Sequence, residues 1–132
     1  MPLERTILVV EDNDDTTRII DMILESEGYR VICAQNGERA KEVMGAETPD
    51  CIVLDIMMPE MDGFTFCSWV RSQKTFRDIP VVLLTSFSKH IYESKHSHKE
   101  ALYTEADEYL EKPVKPERLL AILEDLLKKR KR

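Results

Sequence analysis

CysIleValLeuAsp (51–55) is a run of four apolar residues closed by a carboxylate, and the turn-rich MetProGluMetAspGly (58–63) follows it. A short continuous apolar run bounded by turn signals reads as a strand buried on both faces, the kind found in parallel sheets. Working outward, the same design recurs. ThrIleLeuValVal (6–10) is closed by Glu11 and Asp12, ValValLeuLeu (81–84) by Thr85, and TyrLeuGlu (109–111) by Lys112. In an open α/β sheet, ligands bind in the crevice beyond the carboxyl ends of the strands. Carboxylates, a hydroxyl and an ammonium at four strand ends therefore describe one site. Clustered carboxylates repel and are costly to desolvate unless a cation joins them. Few carboxylates with room for water suit a hard cation such as Mg²⁺, which commonly partners phosphate oxygens. The chemistry implied is phosphoryl handling.

Strands are expected near 6–11, 30–34, 51–55, 80–85 and 107–111, all buried on both sides, with amphipathic helices between them. Asn13 or Asp14 can cap the first helix, whose Ile19, Ile20, Ile23 and Leu24 repeat at helical spacing before Gly28 stops it. Asn36-Gly37 opens a second helix, Asp62-Gly63 precedes a third, and the last starts at Pro116 and repeats Leu119, Leu120, Leu123, Leu126 and Leu127. At 132 residues with no repeat, linker or low-complexity block, the chain reads as one domain over 1–132. The formal net charge of −6 makes its body a poor nucleic-acid binder. Cys33, Cys51 and Cys67 lack metal-site spacing and are expected as buried reduced thiols. No segment approaches the ~18 apolar residues of a membrane span, and no signal-peptide pattern opens the chain. A cytoplasmic, soluble protein is expected.

IleLeuValValGluAsp (7–12), ValLeuAspIleMetMetProGluMetAspGly (53–63), LeuLeuThrSer (83–86) and AspGluTyrLeuGluLysPro (107–113) resemble, in order and over nearly the whole chain, the segments of response-regulator receiver domains. The resemblance implies a flavodoxin-like, doubly wound (βα)5 fold with a five-stranded parallel sheet in the order 2-1-3-4-5. It implies that Asp55 accepts a phosphoryl group from the phosphohistidine of a sensor histidine kinase or a histidine phosphotransfer protein. Glu11, Asp12, Asp55 and the Met57 backbone carbonyl would hold Mg²⁺. Thr85 and Lys112 would contact phosphoryl oxygens, and Lys112–Pro113 would be cis. Tyr109 resembles the switch aromatic of the family. The positions that tune phosphate lifetime in the family are occupied by Met57 and Phe87, both apolar, so slow autodephosphorylation is expected. The implied function is a phosphorylation-dependent switch of a two-component phosphorelay, not a metabolic enzyme, that controls an output domain or target protein. A phosphorylation-dependent homodimer is one expected assembly.

A carboxylate is a weak nucleophile, and cations prepositioned beside the transferring group stabilise its charge in the transition state. Rival readings exist for each residue: a turn cap for Asp55, and helix-dipole charges for Glu11 and Asp12. A Mg²⁺-dependent phosphohydrolase using Asp55 is disfavoured because Met57 stands where an acid/base aspartate would be needed. A receiver acting as a phosphate-independent interaction module is the other competitor. The interval between Thr85 and Lys112 is about one helical turn longer than is usual in the family, and Glu105 replaces a glycine commonly found there. This interval holds His90, His96 and His98, read as a solvated polar face. LysLysArgLysArg (128–132) reads as a last-turn basic cluster or the start of a linker.

Overall fold

The computed structural model describes residues 4–58, 61–86 and 105–129. The elements in chain order are β1 (Thr6–Val10), α1 (Asp14–Ser26), β2 (Arg30–Ala34), α2 (Gly37–Ala46), β3 (Cys51–Asp55), α3 (Gly63–Ser72), β4 (Val81–Thr85), β5 (Glu108–Glu111) and α4 (Pro116–Lys129). The five strands form one parallel sheet in the order β2-β1-β3-β4-β5. Strand order and class follow the expectation. The expected helix between β4 and β5, together with His90, His96, His98 and Phe87, falls in 87–104, outside the described residues.

Local chemistry accounts for the boundaries. Asn13, Asn36 and Asp62 sit in extended backbone and accept hydrogen bonds from Thr16 N (2.9 Å), Arg39 N (2.8 Å) and Thr65 N (2.8 Å), each satisfying an otherwise orphaned N–H of a first helical turn. Asn13, not Asp14, is the cap of α1. Gly28, at φ +88°, turns the chain out of α1 in the left-handed region that glycine adopts without a Cβ clash.

Alternation along the strands divides the core into two layers. Leu8, Val10, Ile52, Leu54, Val81 and Leu83 face α2 and α3, meeting Ala40, Met44, Phe66 and Val70. Ile7, Val9, Val53, Val82 and Leu84 face α1 and α4, meeting Ile20, Leu24, Leu119 and Leu123. β1 and β3 are buried throughout, as their apolar runs require.

Three expectations need correction. β2 and β5 are the sheet edges, so they are not buried on both sides: only Ala34 in one and Leu110 in the other are buried. For the same reason Cys33 is exposed, while Cys51 and Cys67 are buried. Burial pushes the Cys67 thiol up to about 11, which keeps it protonated and inert. Finally, Ile19 lies off the buried stripe of α1 and is 52% exposed, beside Met22 at 66%.

Candidate functional site: an acidic cluster at the strand ends

β1 and β3 are adjacent, and their carboxyl ends bring Glu11, Asp12 and Asp55 together. One carboxylate oxygen from each can be chosen so that all lie within 4.8 Å of one another. Glu11 and Asp55 are almost wholly buried, and Asp12 stands exposed at the rim. From β5's far end, Lys112 Nζ reaches in to 2.9 Å from Glu11 Oε1 and 3.5 Å from Asp55 Oδ2. The four residues named from the sequence thus converge. Thr85, at the end of β4, joins them through the backbone: Lys112 N donates to its carbonyl at 2.7 Å. The Lys112–Pro113 peptide is cis, as the resemblance implied.

The backbone around Asp55 is fixed from several sides. Ile56 N donates to Leu84 O (3.0 Å), and Gly63 N donates to Ile56 O (2.9 Å). Met57 N donates to Asp55 Oδ1 at 3.2 Å, and Asn13 N donates to Glu11 Oε2 at 3.1 Å. In the sequence Gly63 reads as part of a helix start. The first turn of α3 in fact presses on the Asp55–Ile56 peptide: a Cβ at Gly63 would stand 2.5 Å from Asp55 O and 2.8 Å from Ile56 Cα. These are backbone atoms that cannot rotate away, so only glycine fits without displacing the acidic strand end.

Electrostatics bear out crowding. Burial first, and then neighbouring Asp55, push the Glu11 carboxyl up. Partial desolvation and then Glu11 push Asp12 up as well. Burial works against the Lys112 ammonium, but its hydrogen bond to Glu11 and the charge of Asp55 outweigh that and raise its pKa. Three carboxylates face a single ammonium among these groups. An all-oxygen donor set that retains an excess of negative charge fits a hard divalent cation.

Tyr109 and Met57 contribute no carboxylate to the cluster. Tyr109 lies on β5 opposite Leu83 and is half-buried on the α2–α3 side of the sheet. Thr85, two residues beyond Leu83, belongs to that same side by alternation. Met57 is 53% exposed at the mouth of the site.

Against known proteins, residues 7–124 match the family model described as the response regulator receiver domain. The chain is 34% identical over 126 residues to a probable transcriptional regulator ycf27 of Cyanophora paradoxa, covering 96% of this chain and 49% of that protein. The chain spans about half the length of most of the curated relatives it matches. The solved receiver domain of a signal transduction histidine kinase from Syntrophus aciditrophicus superposes with a TM-score of 0.85 at 35% identity, covering 97% of this chain and 93% of that one. The receiver domain of sensor histidine kinase PA1611 from Pseudomonas aeruginosa PAO1, solved with a magnesium ion coordinated in its active-site cleft, superposes with a TM-score of 0.80 at 29% identity, covering 95% and 98%. Sheet order, site geometry and family match agree, and this chain belongs to the response regulator receiver domains, the signalling modules of two-component systems.

Proposed function

We propose that this receiver domain is a phosphorylation-dependent switch in which Asp55 takes a phosphoryl group from the phosphohistidine of a sensor histidine kinase or histidine phosphotransfer protein. The observation that carries the reading is the buried Asp55 carboxylate, flanked by Glu11 and Asp12 on one side and the Lys112 ammonium on the other. As the phosphohistidine P–N bond breaks, an O–P bond forms to an Asp55 oxygen. Glu11, Asp12, Asp55 and the Met57 backbone carbonyl would hold Mg²⁺. Bound there, the cation supplies positive charge to the transferring group. Lys112 turns its ammonium from the carboxylates toward a phosphoryl oxygen, and the Thr85 hydroxyl contacts another. Tyr109, on the same sheet side as Thr85, follows that movement, so the packing of this face changes when Asp55 is modified.

Met57 and Phe87 bear no group able to orient an attacking water, which supports slow autodephosphorylation and argues against a phosphohydrolase. Exposed Ile19 and Met22 lie on the helix that begins two residues after Asp12 and offer apolar contact to a docking phosphodonor. The reading takes 1–132 as a single receiver unit acting in the cytoplasm on an output domain or target protein, with homodimerisation on phosphorylation as one form of output. No helix among the described residues is long and apolar enough to cross a membrane. Lys128 and Lys129 pair with Glu124 and Asp125 one turn back on α4, which fits a helix-end role and not nucleic-acid contact.

Titrating beryllofluoride into the Mg²⁺-loaded protein, followed by fluorine NMR, tests the reading. A bound signal in wild type that is absent from Asp55→Asn is expected, and no bound signal in wild type would contradict it.

A further inference from the structure

β5 has four residues, lies at the sheet edge and buries only Leu110. Register is strongly specified where one face of a strand is buried, and so short an edge strand specifies it weakly. The consequence for the site is severe. A slip in one direction presents the Glu111 carboxylate where the Lys112 ammonium stands; a slip in the other presents Pro113, which has neither charge nor N–H. Some other feature must set the register.

Asp107, at the entry to β5, engages Val81 twice: its N donates to Val81 O at 2.9 Å, and its Oδ2 accepts from Val81 N at 2.7 Å. The same Oδ2 accepts from Arg71 Nη2 at 2.8 Å. Arg71, on α3, also donates to three backbone carbonyls: Glu105 O (Nε, 2.7 Å), Ile79 O (Nη1, 2.7 Å) and Arg77 O (Nη1, 3.0 Å). Ser68, one turn back on α3, donates to Glu105 Oε1 at 2.6 Å. One guanidinium thus ties α3 to the approach to β4 and to the entry of β5. At the far end of that ladder, Lys112 N meets Thr85 O and its ammonium meets Glu11 and Asp55.

We propose that Arg71 and Asp107 are positioning residues for Lys112: they clamp β5 in register on β4 at its start, so that the ammonium arrives beside Asp55 at its end. The proposal rests on the phosphoacceptor reading. It also gives Glu105 a place in the fold, since its carbonyl and carboxylate are both held by α3.

A double-mutant cycle on the full chain tests it, with beryllofluoride affinity at saturating Mg²⁺ read by fluorine NMR and Mg²⁺ affinity read by calorimetry without fluoride. Asp107→Ala is expected to weaken beryllofluoride about tenfold, the size of one charge-assisted contact, without weakening Mg²⁺. In the Lys112→Ala background it is expected to cost nothing further. Asp107→Asn, which keeps an acceptor for Val81 N, should recover most of the loss. Arg71→Gln provides the same cycle with the Asp107–Val81 pairing left in place. Losses that multiply in the double variants, or beryllofluoride and Mg²⁺ weakened together, would overturn the clamp while leaving the phosphoacceptor reading intact. Wild-type protein that binds no beryllofluoride would overturn both.

Discussion

The Lys112 ammonium lies 2.9 Å from the buried carboxylate of Glu11, nearer than to Asp55 at 3.5 Å. An ammonium in this position occupies part of the charge that a divalent cation would satisfy, so the two cations compete for Glu11. Lys112→Met is therefore expected to raise Mg²⁺ affinity while weakening beryllofluoride. Without metal, the uncompensated carboxylates should destabilise the fold by about 1–3 kcal/mol, since a buried charge loses its partner. Thermal unfolding with and without Mg²⁺ checks this: the variant should gain more from the metal than wild type does.

The raised Glu11 and Asp12 carboxyls set a pH dependence. An acid whose folded pKa exceeds its unfolded value binds more protons folded than unfolded, so its contribution to stability falls as pH rises from its ordinary value, 4.5 for Glu11 and 3.8 for Asp12, through the folded value. Lys112, also raised, contributes stability that is present below its ordinary 10.5 and is lost only as pH rises beyond it. Metal-free protein should therefore lose stability as pH rises above these ordinary values, through these two groups. Mg²⁺, which favours ionised carboxylates, should flatten that slope. Denaturant midpoints across pH, with and without Mg²⁺, measure it.

Gly63 and Gly45 form a matched pair. Gly63→Ala places a methyl group against the Asp55–Ile56 backbone and should cost about 1–3 kcal/mol, the range of overpacking, and weaken Mg²⁺. Gly45, inside α2, has open space around its missing Cβ, and Gly45→Ala should stabilise by about 0.4–1 kcal/mol. Urea unfolding and Mg²⁺ calorimetry on both variants separate backbone crowding from a general glycine effect.

Met57, exposed at the mouth of the site, should govern how long the acyl phosphate survives. Met57→Asn adds a polar group able to hold water beside Asp55 and should shorten the lifetime of the phosphorylated form. Decay of the phosphorylated species after removal of the phosphodonor reports it; an unchanged lifetime would remove Met57 from this role.

Much of the fold was legible because β1, β3 and β4 are continuous apolar runs, and Asn13, Asn36 and Asp62 announce three helix starts by their own hydrogen-bonding chemistry. The site was legible because its polar residues close those runs. What escaped depends on neighbours distant in sequence. Cys33 is as apolar in context as Cys51, and only the edge position of β2 exposes it. Arg71 and Asp107 are 36 residues apart, and no local period links them. The close approach of Gly63 to Asp55 is set by how α3 seats on the sheet. The pairing of Lys112 with Glu11 likewise joins the ends of β5 and β1, which lie far apart in sequence.

Every role proposed for this site depends on Asp55 being the phosphoacceptor. Intact-mass spectrometry after incubation with Mg²⁺ and acetyl phosphate tests it most directly. One phosphoryl adduct is expected on wild type, absent from Asp55→Asn and absent when Mg²⁺ is chelated. An adduct that persists in Asp55→Asn, or no adduct on folded wild type, would contradict it.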